Sequence, residues 1–375
     1  MKLKPKLTLA EHFADVVDPR INRTKDHLLI DILTIAILAV ICGADGWVGI
    51  ETYGKAKHTW LKTFLDLPNG IPSHDTFARV FARLEPEQLQ ASFLSWVRSV
   101  CRLTDGEIIA IDGKTARGSY DTGKDKGAMH MVSAWASQNR LVLAQRKVDD
   151  KSNEITAIPE LLKVLDLKGC IVTIDAMGTQ KNIAARILEQ GADYVLALKA
   201  NQGNLFEDVE QLFSWARSQG FKDIEHEFYQ TLDGEHGRVE KRRYWSMANV
   251  DALIDAEKWA GFSSITMVES IRSCNGETST QLRYYINSLA PDARRLAGSI
   301  RGHWSVENPL HWVLDVGFRE DDCRIRTGHA PENFTLLRHL AVSALNQETT
   351  AKVGTKNKRL QAGWDNDYLL KVLAA

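Results

Sequence analysis

Cysteine is scarce and scattered in this 375-residue sequence: Cys42, Cys101, Cys170, Cys274 and Cys323 are odd in number and never spaced as CxxC. That suggests neither a disulfide framework nor a zinc ribbon and fits a reducing cytoplasm. Long apolar runs are missing too. The longest, ILTIAILAVICGA at 32–44, lies between Asp31 and Asp45 and falls short of the roughly 20 residues a membrane span needs, so a buried helix and no membrane partner are expected. The basic start, MKLKPKLTLAEHFADVV, has no apolar stretch behind it, so no secretory signal is expected. Nor does one charge dominate. With 47 Lys and Arg against 48 Asp and Glu, the net charge of -1 gives no global signature of a nucleic-acid binder. No GxSxG, Walker A or GxGxxG stands in a supporting context, and no internal repeat is visible.

What is present is the composition of a soluble globular protein, 44% hydrophobic and 25% charged, in a chain too long for one ordinary core. Charge is placed unevenly. Lys114, Arg117, Lys124, Lys126, Arg140, Arg146 and Lys147 face only Asp121 and Asp125, a local excess of five positive charges. Smaller basic clusters are HGRVEKRR at 236–243, Arg294 and Arg295 with Arg301, and KVGTKNKR at 352–359. A cluster of that size is ordinarily solvated surface.

The first hundred residues read as helices near 27–42, 48–66, 74–84 and 86–102. The third is clearest: Ser73 is a natural N-cap, and Phe77, Val80, Phe81 and Leu84 recur at helical spacing. Short helices joined by tight turns suit a helix-turn-helix DNA module, with Arg79 and Arg83 towards phosphate, and equally a structural bundle. From Asp105 the pattern changes. EIIAID, HMVSAWAS and LVLAQRKV read as strands, followed by a helix at 153–165 whose start Pro159 kinks or delays, strand IVTID, helix NIAARILEQG, strand YVLALKA and a helix at 205–217. Residues 222–290 read as strands and turns, and helices return at 292–315 and 332–347. These readings give a mixed α/β sheet with a β-rich insertion and divide the chain at 1–104, 105–221, 222–290, 291–350 and a basic tail at 351–375.

Two strands end alike, in an apolar run, an Asp and a small residue: EIIAID-GK at Asp112 and CIVTID-AM at Asp175. Carboxylates at the ends of neighbouring strands can converge, and oxygen ligands suit Mg²⁺ or Mn²⁺. Either Asp alone would more often merely start a turn. A two-metal phosphoryl-transfer site needs a third carboxylate to hold cations about 4 Å apart. Glu307 is the best candidate, because a helix from 292 would put it on one face with His303 and His311, with Asp315 a further turn or so on. Rivals are the Glu320-Asp321-Asp322 run, which also reads as exposed charge, and Glu154, which also serves the helix dipole. Zinc on His303 and His311 is disfavoured because the histidines are eight residues apart, not four as in HExxH. Cys170 reads as core.

These residues sit in segments that carry a family likeness: IPSHDTFARVF, IAIDGKTARGS, DDKSNEITAIPELLKVLDLKG, TIDAMGTQ, ALKANQGNL, HGRVEKRRY and HWSVENPLHWVLDVGFREDDCRIRTGHAPENF. Over nearly the whole chain the sequence resembles the H-repeat-associated insertion-sequence transposases. The resemblance implies a ribonuclease H-like catalytic domain interrupted by a β-rich insertion, an associated N-terminal all-α domain, and a catalytic and metal-binding DDE set at Asp112, Asp175 and Glu307. Related transposases carry Tyr-x2-Arg-x3-Glu-x6-Lys on the glutamate helix. Here those positions hold Ile300, His303, Glu307 and Leu314, so only the Glu is kept.

The expected activity is metal-dependent cutting of element-end DNA and strand transfer into target DNA by in-line displacement, with two Mg²⁺ or Mn²⁺ ions. The expected partners are double-stranded DNA and a second copy of the chain in a dimer joining two ends. Candidate DNA contacts are Lys114, Arg117, Lys199, Arg301, His303, His311, Arg324 and Arg326, of which the lysines and arginines also read as surface charge. Trp304 and Trp312 are candidates for stacking on an unpaired base, though core packing is the commoner use of such residues. Two other functions compete: a relic that binds element ends as a repressor without cutting, and a plain metal-dependent nuclease. All three carboxylates being present favours the enzyme.

Overall fold

The computed structural model describes residues 11–120, 127–149, 152–235, 238–248, 250–274 and 277–374. Lys124, Lys126, Asp121, Asp125 and His236 of the basic clusters lie outside the described residues. Among those described, helices come first: α1 (Leu29–Ile41), α2 (Trp47–Ala56), α3 (His58–Leu61), α4 (His74–Phe81) and α5 (Pro86–Val100). Strands β1 (Ile108–Ala116), β2 (Met129–Ala136) and β3 (Leu141–Lys147) follow. An alternating stretch holds α6 (Glu154–Lys163), β4 (Ile171–Ile174), α7 (Lys181–Glu189), β5 (Asp193–Leu198) and α8 (Asn204–Ser218). Then come β6 (Glu227–Glu235), β7 (Arg238–Met247), β8 (Ser264–Cys274) and β9 (Glu277–Asn287). The chain ends in α9 (Ala293–His303), a π-helix at Glu307–Gly317, α10 (Ala330–Gln347), α11 (Thr355–Trp364) and α12 (Asn366–Ala374). The protein is thus mixed α/β. It divides into two compact units, Met1–Arg102 with Gly113–Lys151 and Glu307–Ala375, and Leu103–Asp112 with Ser152–Val306.

In the first unit most of the apolar run at 32–44 lies in α1, buried without interruption from Asp31 to Ile41, and α10 is buried from Ala330 to Leu345 except at Glu332. No described helix is long and apolar enough to cross a membrane. α10 packs against α1, α5 and β3, and its buried polar groups serve specific backbone atoms. Asn333 Nδ2 donates to the carbonyls of Phe81 and Leu84 at 2.8 and 2.9 Å, satisfying the end of α4, while Ser343 Oγ accepts from Val142 N at 3.1 Å. Ser73 caps α4, its Oγ accepting from Thr76 N. The stretch at 351–375, read as a basic tail, is folded. Lys358 and Arg359 on α11 are buried; Lys358 Nζ donates to Leu345 O at 2.8 Å, and Arg359 reaches the carbonyls of Val40 and Ala44, the carboxylate of Asp45 and Gly317 O.

In the second unit the strand order is β1-β4-β5-β9-β8-β7-β6. β1, β4 and β5 run parallel, whereas β9, β8, β7 and β6 are an antiparallel meander joined to β5 through β9. The β-rich stretch therefore extends the same sheet. α6 starts at Glu154, capped by Asn153, so Pro159 sits inside the helix and does not delay it. The helix expected over 292–315 is interrupted: α9 stops at His303, and the chain passes through a short 3-10 turn into the π-helix. Pro309 gives the physical reason, since it lacks an N–H for an α-helical bond and disfavours the α conformation at Asn308.

Candidate functional site

The apolar runs of β1 and β4 are buried strand interiors, and their register decides where the following acids go. Ile111 and Ile174 are the last paired residues of β1 and β4, so Asp112 and Asp175 directly follow the paired stretch on neighbouring parallel strands about 4.8 Å apart. Asp175 follows the end of β4, whereas β1 runs on to Ala116, so the strand end expected at Asp112 does not occur. Both are half-buried. Asp175 is oriented by a turn: its Oδ1 accepts from Met177 N at 3.0 Å and Gly178 N at 3.1 Å. Gly178 is needed there, because a Cβ would stand 2.3 Å from Ile174 Cγ2.

Residues that sequence reasoning quoted but did not single out hold this turn in place. Thr179 Oγ1 donates to Asp175 O at 3.0 Å and to Ala197 O at 2.7 Å. Asn201 Nδ2 donates to Ala176 O, and Gln202 Nε2 to Thr179 O. Their only signal in the sequence was membership of TIDAMGTQ and ALKANQGNL. His303 at the end of α9 has its Nδ1 3.1 Å from Thr173 Oγ1. Burial pulls the His303 pKa below its ordinary value, against the attraction of Asp175, so the ring beside that carboxylate is neutral near pH 7. Lys199 follows β5 and Arg301 lies on α9, both exposed.

The remaining candidates belong to the first unit. Glu307 is exposed and opens the π-helix. The continuous α-helix expected to carry His303, Glu307 and His311 does not form: His303 ends α9, and Glu307 and His311 lie in the π-helix that follows the 3-10 turn. The Lys114 ammonium is 2.6 Å from Asp315, 3.5 Å from Glu320 and 3.7 Å from Asp321. Burial alone would lower its pKa, but these three carboxylates outweigh that and raise it. Arg117 is exposed and 3.6 Å from Asp321. Arg326 Nε donates to Gly118 O at 3.2 Å and its guanidinium lies over Tyr120, while Arg324 is exposed. His311 lines a cavity of about 10 Å³ with Lys114, Glu320, Thr335 and His339, room for about one water. Trp312, of a type expected in the core, is 59% exposed, and Trp304 in the second unit lies under the guanidinium of Arg283 at 4.7 Å.

Among the described residues no three His, Cys, Asp or Glu side chains stand together as a metal-binding group. The Asp112 and Asp175 pair nevertheless has the right donor chemistry for a hard divalent cation, being carboxylate oxygens beside a neutral ring. Asp175 Oδ2 also accepts no hydrogen bond among the described residues.

A family model described as "Transposase DDE domain" matches residues 103–344, and one described as "DDE_Tnp_1-associated" matches residues 10–97. The chain belongs to the DDE transposase family. It is 43% identical over 371 residues to the "H repeat-associated putative transposase YhhI" of Escherichia coli (strain K12), covering 98% of this chain and 97% of that protein. It is 42% identical over 372 residues to the "Putative transposase YncI" of Escherichia coli O157:H7, covering 98% and 95%. Among solved structures, a piggyBac transposase synaptic complex with hairpin DNA matches 99% of this chain and 78% of that one at 12% identity and a TM-score of 0.44. Within this DDE transposase family member, the associated-domain match takes in α1 to α4 and most of α5, while the DDE-domain match runs from before β1 into α10.

Proposed function

We propose that the protein is an insertion-sequence transposase that cuts element-end DNA and transfers the freed strand into target DNA, with Asp112, Asp175 and Glu307 as its catalytic carboxylates. The observation that supports this reading is that Asp112 and Asp175 directly follow the last paired residues of the parallel strands β1 and β4 in a chain of the DDE family. Each step is an in-line displacement at phosphorus: an oxygen nucleophile forms one P–O bond while the opposite P–O bond breaks. Divalent cations, Mg²⁺ or Mn²⁺, when held by these carboxylates, supply charge stabilisation for the entering and leaving oxygens.

The chain's own residues set that geometry. The turn at Met177 and Gly178 fixes the Asp175 carboxylate, leaving its other oxygen for a cation. Neutral His303 packs beside it without competing for its charge. Lys114, two residues after Asp112, grips Asp315 on the helix that Glu307 opens, which makes it a positioning residue in this reading. In the same reading β1 to β5 and the helices around them form a ribonuclease H-like core. Residues 1–104 then serve end recognition, 222–290 the synapsis of two ends, and duplex DNA is bound by two copies of the chain.

The test is incubation of purified protein with duplexes carrying candidate element ends and a target plasmid, with Mg²⁺ or Mn²⁺. Metal-dependent nicking and joined products are expected from wild type, with a loss of about a thousandfold in Asp112→Asn. Cleavage kept by that variant would overturn the site. Cleavage without joining would make the protein a nuclease, and end binding without cleavage a repressor.

A further inference from the structure

Helix α9 has two faces of opposite character. Ala293, Leu296, Ala297 and Ile300, spaced i, i+3, i+4, i+7, are buried, the last three in a cluster with Ile171, Val195, Tyr244, Val268 and Tyr285 of the sheet. The exposed residues are Arg294, Arg295, Gly298 and Arg301. Among the described residues none of these arginine side chains makes an ion pair or a hydrogen bond. Arg294 lies only at the outer limit of contact with the Tyr229 ring, 6.0 Å from its centre. The one acid on the helix start, Asp292, uses its Oδ1 to cap Arg295 N, leaving the face net positive. Several other arginines of the second unit are ion-paired: Arg217 and Arg243 share Glu269, and Arg242 pairs with Asp233 and Glu240.

Gly298 is the second, independent observation. It sits in the middle of α9, where glycine weakens a helix relative to alanine. Nothing in the chain requires it, because a Cβ built there meets no atom within 4 Å and its backbone is not left-handed. A mid-helix glycine on an open face, ringed by unpaired guanidiniums, suits the close approach of something outside the chain that carries negative charge along a line. From Arg294 to Arg301 the face runs about 10 Å, the length of a few phosphates of duplex DNA.

We infer that the Arg294, Arg295, Gly298 and Arg301 face of α9 binds the sugar-phosphate backbone of double-stranded DNA, with the glycine letting the backbone settle against the helix between the arginines. The inference deepens the transposase reading and rests on it. Such contacts position the duplex and carry no base specificity. They also align it beside the strand that ends in Asp175, because His303, the last residue of the same helix, packs on Thr173.

The experiment measures binding of the full chain to a fluorescent duplex against salt, without divalent metal, for wild type, the triple variant Arg294→Gln/Arg295→Gln/Arg301→Gln, and Gly298→Leu. The triple variant is expected to lose about 2.7 from the log-log salt slope, at roughly 0.9 per phosphate contact. Wild-type affinity should then fall about 40-fold more than the variant's between about 50 and 200 mM salt. Gly298→Leu should bind severalfold more weakly while its Tm rises by roughly 1 °C, opposite signs that a damaged fold would not give. Wild type that binds with a steep salt slope, with both variants unchanged from it, would overturn this inference and leave the transposase reading standing. Wild type that binds no duplex at all would overturn both.

Discussion

The cations of the two units are used in different ways. In the first unit Lys114, Lys358 and Arg359 are drawn inside and spent on carboxylates and helix-end carbonyls. In the second, the arginines of α9 stand on an open face without partners among the described residues. Counting charge along the sequence treats these groups alike, and all of them were read as parts of basic clusters. The physical distinction is whether an unsatisfied oxygen of the fold needs the cation. Val40 O and Leu345 O lie at the ends of α1 and α10, where helix carbonyls lack intrahelical donors, so Arg359 and Lys358 complete the fold. The fold has no such need of Arg294, Arg295 or Arg301, and their use lies outside it.

The largest effect that would break this comparison is on stability. Arg359 is buried over the Phe318 ring and donates to several backbone carbonyls and to Asp45. Arg359→Met removes these bonds and leaves the Asp45 carboxylate without its buried partner, Val40 O keeping the backbone N–H of Gly43, and is expected to cost about 3–5 kcal/mol in urea unfolding. A cost under about 1 kcal/mol would mean the interior cations are no more structural than surface ones. The next effect is on pH dependence. Burial pushes the pKa of His339 on α10 down to about 3, with His311, Arg338 and Lys114 adding repulsion. The unfolded chain takes up that proton near pH 6.5, so between 6.5 and about 3 the unfolded state holds more protons and stability falls as the pH falls. Between pH 6.5 and 5 the loss is about 2 kcal/mol, and unfolding midpoints of His339→Gln should lack that slope. The smallest effect is on the other side. Replacing the three α9 arginines with glutamine should change unfolding stability by no more than about 0.5 kcal/mol, measured in the same denaturation experiment.

The apolar runs before Asp112 and Asp175 were legible as strands because that pattern is local, and parallel pairing of β1 with β4 makes the two acids neighbours. The end expected at Asp112 was misread, since β1 runs on to Ala116 while β4 stops at Ile174. The helices near 74–84 and 86–102 were legible from capping and periodicity, and the structure ends them within a few residues of those readings. What failed depended on distant partners or on a single proline. The grip of Asp315, Glu320 and Asp321 on Lys114 joins residues some two hundred positions apart, which no local pattern records. The continuous helix expected over 292–315 ignored Pro309, and the chain there passes through a 3-10 turn into a π-helix. The folding of 351–375 was missed because a run such as KNKR looks solvated until the helix ends it serves are known.

The account turns on Asp112 and Asp175 as cation ligands, and the measurement that reaches them most directly is cleavage of the polypeptide itself by bound Fe²⁺ in the presence of ascorbate and peroxide. Fragments are expected with ends near residues 112, 175 and 307, suppressed by excess Mg²⁺ and lost in Asp112→Asn and Asp175→Asn. Fragmentation that avoids these positions, or that persists unchanged in both variants, would contradict the acidic centre.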